Sequence, residues 1–333
     1  MRIVAPVSTV EEVAPLAAAG ADEFYCGIVP KDWTDRFKSS GVNRRIFGNF
    51  SDYGALAEAV AAAHAAGTRV SLVMNAQHYS EAHIAALQGI AERFAGLGGD
   101  ALIVGDIGLL ATLAEQGLPL RLHVSSLLTC RNSEAVKLYR DLGAARVILP
   151  RDVTLSEIAA MARAVPGIEL EAFVLNDGCV FEEGSCHSIH LPPKLGGPIC
   201  LDRYDPAYAR CDGAALSEAE AARLKANDEA HRRFLWHRFS RGFTVSEDGY
   251  PFGPCGLCAL SAFARAGLAA VKIAGREGRL ERKLKSVELV RTIRDHVRDG
   301  ASEAEVLSHA RGMRGTPCTD GYMCYYRETA PTS

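Results

Sequence analysis

The chain has 333 residues, 48% of them hydrophobic and 23% charged, with a net charge of −3. That is the mixture of a folded globular protein, so it excludes a long disordered chain. The small acidic balance gives no global basic excess to advertise nucleic acid. Ten cysteines in 333 residues fall well below the roughly 8–10% of a disulfide scaffold.

The first 175 residues alternate β-rich runs with alanine- and leucine-rich stretches of helical spacing. Strands are predicted at Arg2–Ala5, Glu23–Cys26, Arg69–Asn75, Ala101–Gly105, Leu120–Ser125, Arg146–Leu149 and Leu170–Leu175. Helical spacing marks Tyr53–Ala66, Glu81–Leu97 and Leu155–Val165. Several strands are nearly continuous apolar runs (ALIVG, RVILP, EAFVL), as a parallel sheet covered on both faces requires. Gly20, Gly67, Gly99 and Gly143 stand where helices end. Asp152 and Ser156 stand where a helix N-cap or first turn is expected. An eighth strand, Ala270–Ala274, comes much later, after a helical stretch at Ala259–Ala266.

Eight strands alternating with helices predict an α/β fold, a (β/α)8 TIM-like barrel, in preference to a doubly wound open sheet. Residues 1–175 and 259–298 form the expected barrel, 176–258 a cysteine-rich insertion between strands seven and eight, and 299–333 a C-terminal tail. The insertion holds LPPKLGGP, His187, His190 and a charged helix at Ser217–His231. A basic amphipathic helix follows at Arg279–Arg298, and nothing after Gly315 is periodic. The insertion leaves the C-terminal end of strand seven, the catalytic face of such barrels.

Eight of the ten cysteines lie after residue 175. The N-terminus does not read as a signal peptide, and no run of about 20 apolar residues marks a membrane span. The expected compartment is the cytoplasm, where thiols stay reduced and clustered cysteines suit metal ligation or catalysis. Cys179 and Cys186 are spaced C-x6-C directly after strand seven; Cys200 follows, and Cys255 and Cys258 form a C-x2-C pair. Four thiolates meeting near one face suit zinc or an iron–sulfur cluster, and the spacing slightly favours the cluster. Single cysteines are commonly plain buried residues, the default for Cys130.

Strand-end positions supply the remaining candidates. His123, Asp106, Arg151 and Asn176 are the catalytic candidates; Cys26, Asn75, Ser125, Lys272 and Arg276 are the substrate-binding ones. Imidazole titrates near neutral pH, so His123 suits acid–base work, against the alternative of a hydrogen-bonded core histidine. Arg151 and Arg276 suit a bidentate carboxylate clamp, against a structural salt bridge at the rim. Asp106 suits orienting Arg151 or a water, or simply capping a helix. Neither GxSxG nor HExxH occurs. Tyr325 and Tyr326, with Cys318 and Cys324, lie in a tail able to fold back over the mouth.

Several segments resemble the U32 peptidase family in order along the chain. They are VAPVSTVEEVAPLAAAGADEFYCG (4–27), FGNFSDYGALAEAVAAAHAAGTRVSLVMN (47–75), ELEAFVLNDGCVFEEGSC (169–186) and CGLCALSAFARAGLAAVKIAGREGRLE (255–281). The resemblance implies a 4Fe–4S cluster held by Cys179, Cys186, Cys200 and Cys258, with Cys211 an alternative to Cys200 and Cys255 to Cys258. It further implies oxygen-independent hydroxylation of a quinone precursor or an RNA base, with prephenate an implied oxygen donor for some members. The near-neutral charge directs the expectation to a small aromatic or carboxylate substrate, with nucleic acid not favoured. A paralogous partner subunit and an unidentified electron donor complete it. The rivals are a peptidase, an RNA-base hydroxylase and a non-catalytic iron–sulfur partner subunit. The family's histidine and glycine before the signature cysteine are replaced here by Asn176-Asp177-Gly178.

Overall fold

The structure is a computed structural model. It describes residues 1–39, 41–76, 78–179, 182–186, 200, 204–239, 244–315, 318 and 321–330. His187, His190 and LPPKLGGP lie outside these.

Eight parallel strands close into a barrel in sequence order. They are β1 (Arg2–Pro6), β2 (Glu23–Cys26), β3 (Arg69–Met74), β4 (Ala101–Val104), β5 (Arg121–Val124), β6 (Ala144–Ile148), β7 (Glu169–Leu175) and β8 (Ala270–Ile273). The ring shuts where Ile3 of β1 pairs with Val271 of β8. Helices α1 (Val13–Ala19) and α2 (Lys31–Phe37) precede α3 (Tyr53–Ala65), α4 (Glu81–Gly96), α5 (Ile107–Gln116), α6 (Ser133–Asp141) and α7 (Leu155–Ala164).

Local sequence explains these helices. In α4, Leu87, Ile90, Ala91 and Phe94 repeat at helical spacing and are all buried. Covering a leucine or phenylalanine of this kind contributes about 1.5–3 kcal/mol. Ser80 accepts from the His83 N–H, while His83 accepts from the Ser80 N–H, closing the first turn. At α7 the cap is Thr154, with Glu157 reaching back to its N–H. Asp152 and Ser156 flank that cap without supplying it.

Between β7 and β8 lie α8 (Glu218–Phe239) and α9 (Leu260–Ala266). Helices α10 (Leu280–Arg298) and α11 (Glu303–Arg314) follow β8. The segment 321–330 returns to the barrel. Tyr326 donates to the Phe173 carbonyl at 2.9 Å, and Glu328 accepts from the Leu155 N–H at 2.8 Å.

The lumen is ionic. Arg146 of β6 reaches Glu23 of β2, on the opposite side of the ring, through two hydrogen bonds of 2.6 and 2.9 Å. It also meets Glu171 at 2.8 Å and Glu169 at 2.7 Å. Arg2 and Arg121 bind Glu169 from the strand beginnings, at 2.6 and 3.1 Å. Lys272 pairs with Glu171 at 3.2 Å and lies 3.7 Å from the Tyr25 ring centroid. Arg146 is 1% exposed, so these charges stand only because each has a partner.

Candidate functional site

The open end of the barrel is organised by the connection after β2. Its residues 42–49 cross the mouth and bind the ends of other strands. Arg276, after β8, donates to Asn43 at 2.6 Å, and Asn43 donates to Asn49 at 2.9 Å. The Arg44 N–H meets Asn75 after β3 at 3.3 Å, and Asn75 donates to Ser125 after β5 at 3.2 Å. Arg45 pairs with Asp177 after β7 at 3.1 Å. Gly27 permits this crossing: a Cβ there would sit 2.1 Å from Asn49 Oδ1 and 2.2 Å from Arg276 Nη1.

Arg276 is buried, and its Nη1 has no hydrogen-bond partner. That nitrogen is packed against Gly27 as an unsatisfied buried donor. Arg151 is held by Glu183 and lies 3.6 Å from the Phe173 ring centroid. It is therefore a rim residue, held by Glu183 with the Tyr325 hydroxyl beside it. Asp106 accepts from the Leu109 N–H at 2.8 Å and caps α5, the plainer of its two expected roles.

Three candidates sit elsewhere than expected. His123 and Lys272 belong to the lumen network, below the mouth. Burial and then the positive charge of Arg146 hold the His123 imidazole well below its ordinary value, so it is neutral at pH 7. Its Nε2 is buried without a partner. Cys26 alternates with the lumen-facing Tyr25 and so points outward into the core. Burial pushes its thiol up to about 12. Strand alternation, applied outward from Glu23 to Tyr25, selects Tyr25 as the lumen residue.

Asn176 and Asp177 both adopt left-handed backbone, with φ of 66° and 45°. Consecutive non-glycine residues in this region are costly, although Asn and Asp tolerate it best. Asn176 is fixed by its N–H to the Pro254 carbonyl at 2.8 Å and by its side chain to Ser286 at 3.1 Å. The turn throws the chain toward Gly178 and Cys179. A Cβ on Gly178 would lie 2.3 Å from Arg238 Nη1 and 2.6 Å from Pro254.

The cysteines separate into two neighbourhoods. Burial and then the charges of Cys179 and Cys186 raise the Cys200 thiol, while Arg44 opposes the rise. Arg44 in turn feels Cys186 and Cys179. Cys258 has Cys255, Cys318 and Cys324 as its cysteine neighbours. Cys211 is exposed. None of the ten is in a disulfide. Among the described residues, no three histidine, cysteine or acidic side chains already converge as a metal site. The donor chemistry of Cys179, Cys186 and Cys200 suits an iron–sulfur cluster, with Arg44 as a nearby positive charge. Arg44, Arg45 and Glu183 escaped the strand-end reading because they lie on connections rather than strands.

A closed (β/α)8 barrel whose mouth is crossed by an arginine-bearing connection defines the class. The chain belongs to peptidase family U32, whose model matches residues 8–332. It is 28% identical over 230 residues to the tRNA hydroxylation protein P of Escherichia coli (strain K12), covering 68% of this chain and 46% of that protein. It is 30% identical over 135 residues to the 23S rRNA 5-hydroxycytidine C2501 synthase of the same strain, covering 40% of this chain and 20% of that protein. It is 28% identical over 180 residues to the tRNA hydroxylation protein P2 of Bacillus subtilis (strain 168), covering 54% and 53%. The chain thus spans less than half of the first of these.

These names overturn the expectation that nucleic acid is not favoured, and with it the preference for a small aromatic or quinone-like substrate. The physical error was to read a whole-chain charge as a local one. At the mouth four arginines, Arg44, Arg45, Arg151 and Arg276, stand among three acids, Asp177, Glu183 and Glu277. Electrostatic attraction of a polyanion follows that local field. Among the described residues no helix is long and apolar enough to cross a membrane.

Proposed function

We propose that this chain is a hydroxylase acting on a base in RNA, with an iron–sulfur cluster held at Cys179, Cys186 and Cys200. The observation that carries the reading is the placement of these three thiols beside Arg44, at the open end of the barrel. The RNA hydroxylation named for the relatives supports the substrate class.

The cluster would supply a redox centre next to the mouth. The chain's own residues do the rest. Arg276 offers its unpartnered nitrogen to an acceptor oxygen of the substrate or of a carboxylate oxygen donor of the prephenate type. Asn75 and Ser125 present a linked amide and hydroxyl to a base edge. Arg45 stays about one-third exposed while paired with Asp177, and suits a phosphate contact. Cys258 remains the fourth ligand that the family resemblance implies, with Cys255 its alternative.

The test is anaerobic purification with iron, sulfide and charge-transfer absorption measurements, followed by mass spectrometry of RNA incubated with the loaded protein. A one-oxygen mass gain on a nucleoside that disappears with Cys179→Ser is the expected result. Iron-free protein, or RNA unchanged under all conditions, sinks the reading. The peptidase alternative has less behind it: the histidine expected as a base lies in the lumen beside Arg146.

A further inference from the structure

The connection that crosses the mouth carries two phenylalanines three residues apart, in the run RRIFGNF. Their surroundings differ. Phe50 is 4% exposed, whereas Phe47 is 57% exposed. Phe47 is the one exposed residue from 41 to 50.

The turn that bears it is held from several sides. Asn49 Nδ2 donates to the carbonyls of Arg45, Ile46 and Phe47 at 2.9, 3.2 and 3.4 Å. Asn43 Oδ1 accepts from the Arg45 N–H at 3.1 Å and from Arg276 at 2.6 Å. The Phe50 N–H donates to the Gly27 carbonyl at 2.8 Å, which ties the turn to the end of β2. Gly48 has a φ of 68°, and a Cβ there would lie 3.1 Å from the Arg276 carbonyl. The turn therefore rests directly on the chain after β8, and glycine is what lets it do so. Its backbone is fixed while the ring at its tip stays in water.

Single exposed apolar side chains are ordinary on a protein surface. This one differs in its place and its company. It stands on the open face of the barrel, where reactants enter. Two arginines precede it closely in the same connection. Arg45 is pinned to Asp177 and Glu277 at 3.1 and 3.8 Å, and Arg44 donates to the Glu183 carbonyl at 2.8 Å. A protein partner would call for an apolar patch, yet no second residue of the connection is exposed beside the ring. A fixed aromatic ring near guanidinium groups suits a single nucleic-acid strand, whose base stacks on the ring while its phosphate meets the arginine.

We propose that Phe47 is a stacking platform for a nucleobase of the RNA, set in place at the mouth before the RNA arrives. The inference rests on the RNA reading above and adds the group that grips a base. Because the turn is already ordered, docking a base on it costs little further ordering. Every base has a π face, so the platform grips without reading sequence.

The test uses the full-length protein with Phe47→Ala and Phe47→Tyr. The probes are a short single-stranded oligoadenylate and inorganic polyphosphate, a polyanion without bases. Phe47→Ala should weaken oligoadenylate binding about 5- to 150-fold, the range of one lost base stack. It should leave polyphosphate binding and the urea unfolding midpoint unchanged. Phe47→Tyr, which keeps an aromatic face, should bind oligoadenylate nearly as the wild type does. Undiminished oligoadenylate binding by Phe47→Ala overturns the proposal, as does a wild type that leaves oligoadenylate unbound. An equal loss for both probes also overturns it, because the ring would then act through charge or folding. If Phe47→Ala instead turns a dimer into a monomer with oligoadenylate affinity intact, the ring belongs to an interface between copies. Base-dependent binding through Phe47 without any hydroxylation of RNA defeats the functional reading alone. Hydroxylation with Phe47→Ala binding as the wild type does defeats the platform alone.

Discussion

The Tyr325 hydroxyl donates to the main-chain carbonyl of Asn176, joining positions 149 residues apart. Its acceptor belongs to the left-handed residue that opens the turn toward Cys179. The C-terminal segment thus clamps the most strained point of the mouth. Replacing Tyr325 with Phe leaves a buried carbonyl unpaired, at a cost of about 1–3 kcal/mol. Denaturant unfolding should show that loss. An unchanged midpoint would mean that the carbonyl finds another donor.

The lumen network gives a larger effect. Arg146→Met removes the guanidinium that serves Glu23, Glu169 and Glu171. Stranding buried carboxylates in this way costs about 3–5 kcal/mol. The measurement is urea unfolding at pH 7. Adding Glu23→Gln and Glu171→Gln to the same protein should recover part of the loss.

Stability should also fall with acid in two stages. Burial, followed by the charges of Arg146 and Arg121, depresses the His123 imidazole below its ordinary 6.5. The unfolded state therefore takes up the proton first, and stability drops as pH falls below about 6.5. Burial would raise Glu169, but the Arg2 hydrogen bond and the Arg146 charge bring it down to about 2. Its contribution is complete above its ordinary 4.5 and is lost between there and about pH 2. His123→Gln should flatten only the first stage in a pH series of unfolding midpoints. A first stage left intact would assign it to another group.

Much of this was legible from residue order. The β2 bounds are the predicted ones, and the others shift by no more than two residues, because parallel barrel strands write themselves as apolar runs between helix caps. The lumen charges were also written, as i, i+2 pairs: Arg121 with His123, and Glu169 with Glu171. That spacing puts each pair on one face of a strand. Taking strand ends alone as functional hid the pattern. The Arg44–Asn75–Ser125 link could not be read, because it depends on how one connection folds across the mouth. The second cysteine group was equally hidden, since Cys255 and Cys324 meet through backbone pairing with no period in the sequence.

Serine at Cys179, Cys186 or Cys200 should each remove the iron held by that group, since removing a ligand leaves too few thiolates to hold a cluster. Cys211→Ser should leave iron unchanged, because Cys211 is exposed. Iron and sulfide assays on anaerobic preparations decide this. The opposite pattern would move the third ligand to Cys211.

RNA contact should extend onto α8. Arg238, near the end of that helix, donates to the Cys324 carbonyl at 3.1 Å and abuts Gly178. This brings Arg232, Arg233 and the 53% exposed Trp236 to the neighbourhood of the mouth. Trp236→Ala should weaken RNA binding by about 1–3 kcal/mol through lost base stacking. Replacing Arg232 and Arg233 with Ala should instead lower the salt dependence of binding. Filter binding across a salt series separates the two effects.

The bridge from Arg146 to Glu23 spans the full width of the ring and leaves no passage through it. Whatever reacts here must arrive and depart through the same doorway. Under the proposed function, an RNA strand that lingered after reaction would block its successor, and a tighter grip on the polyanion would slow the cycle once release became the limiting event.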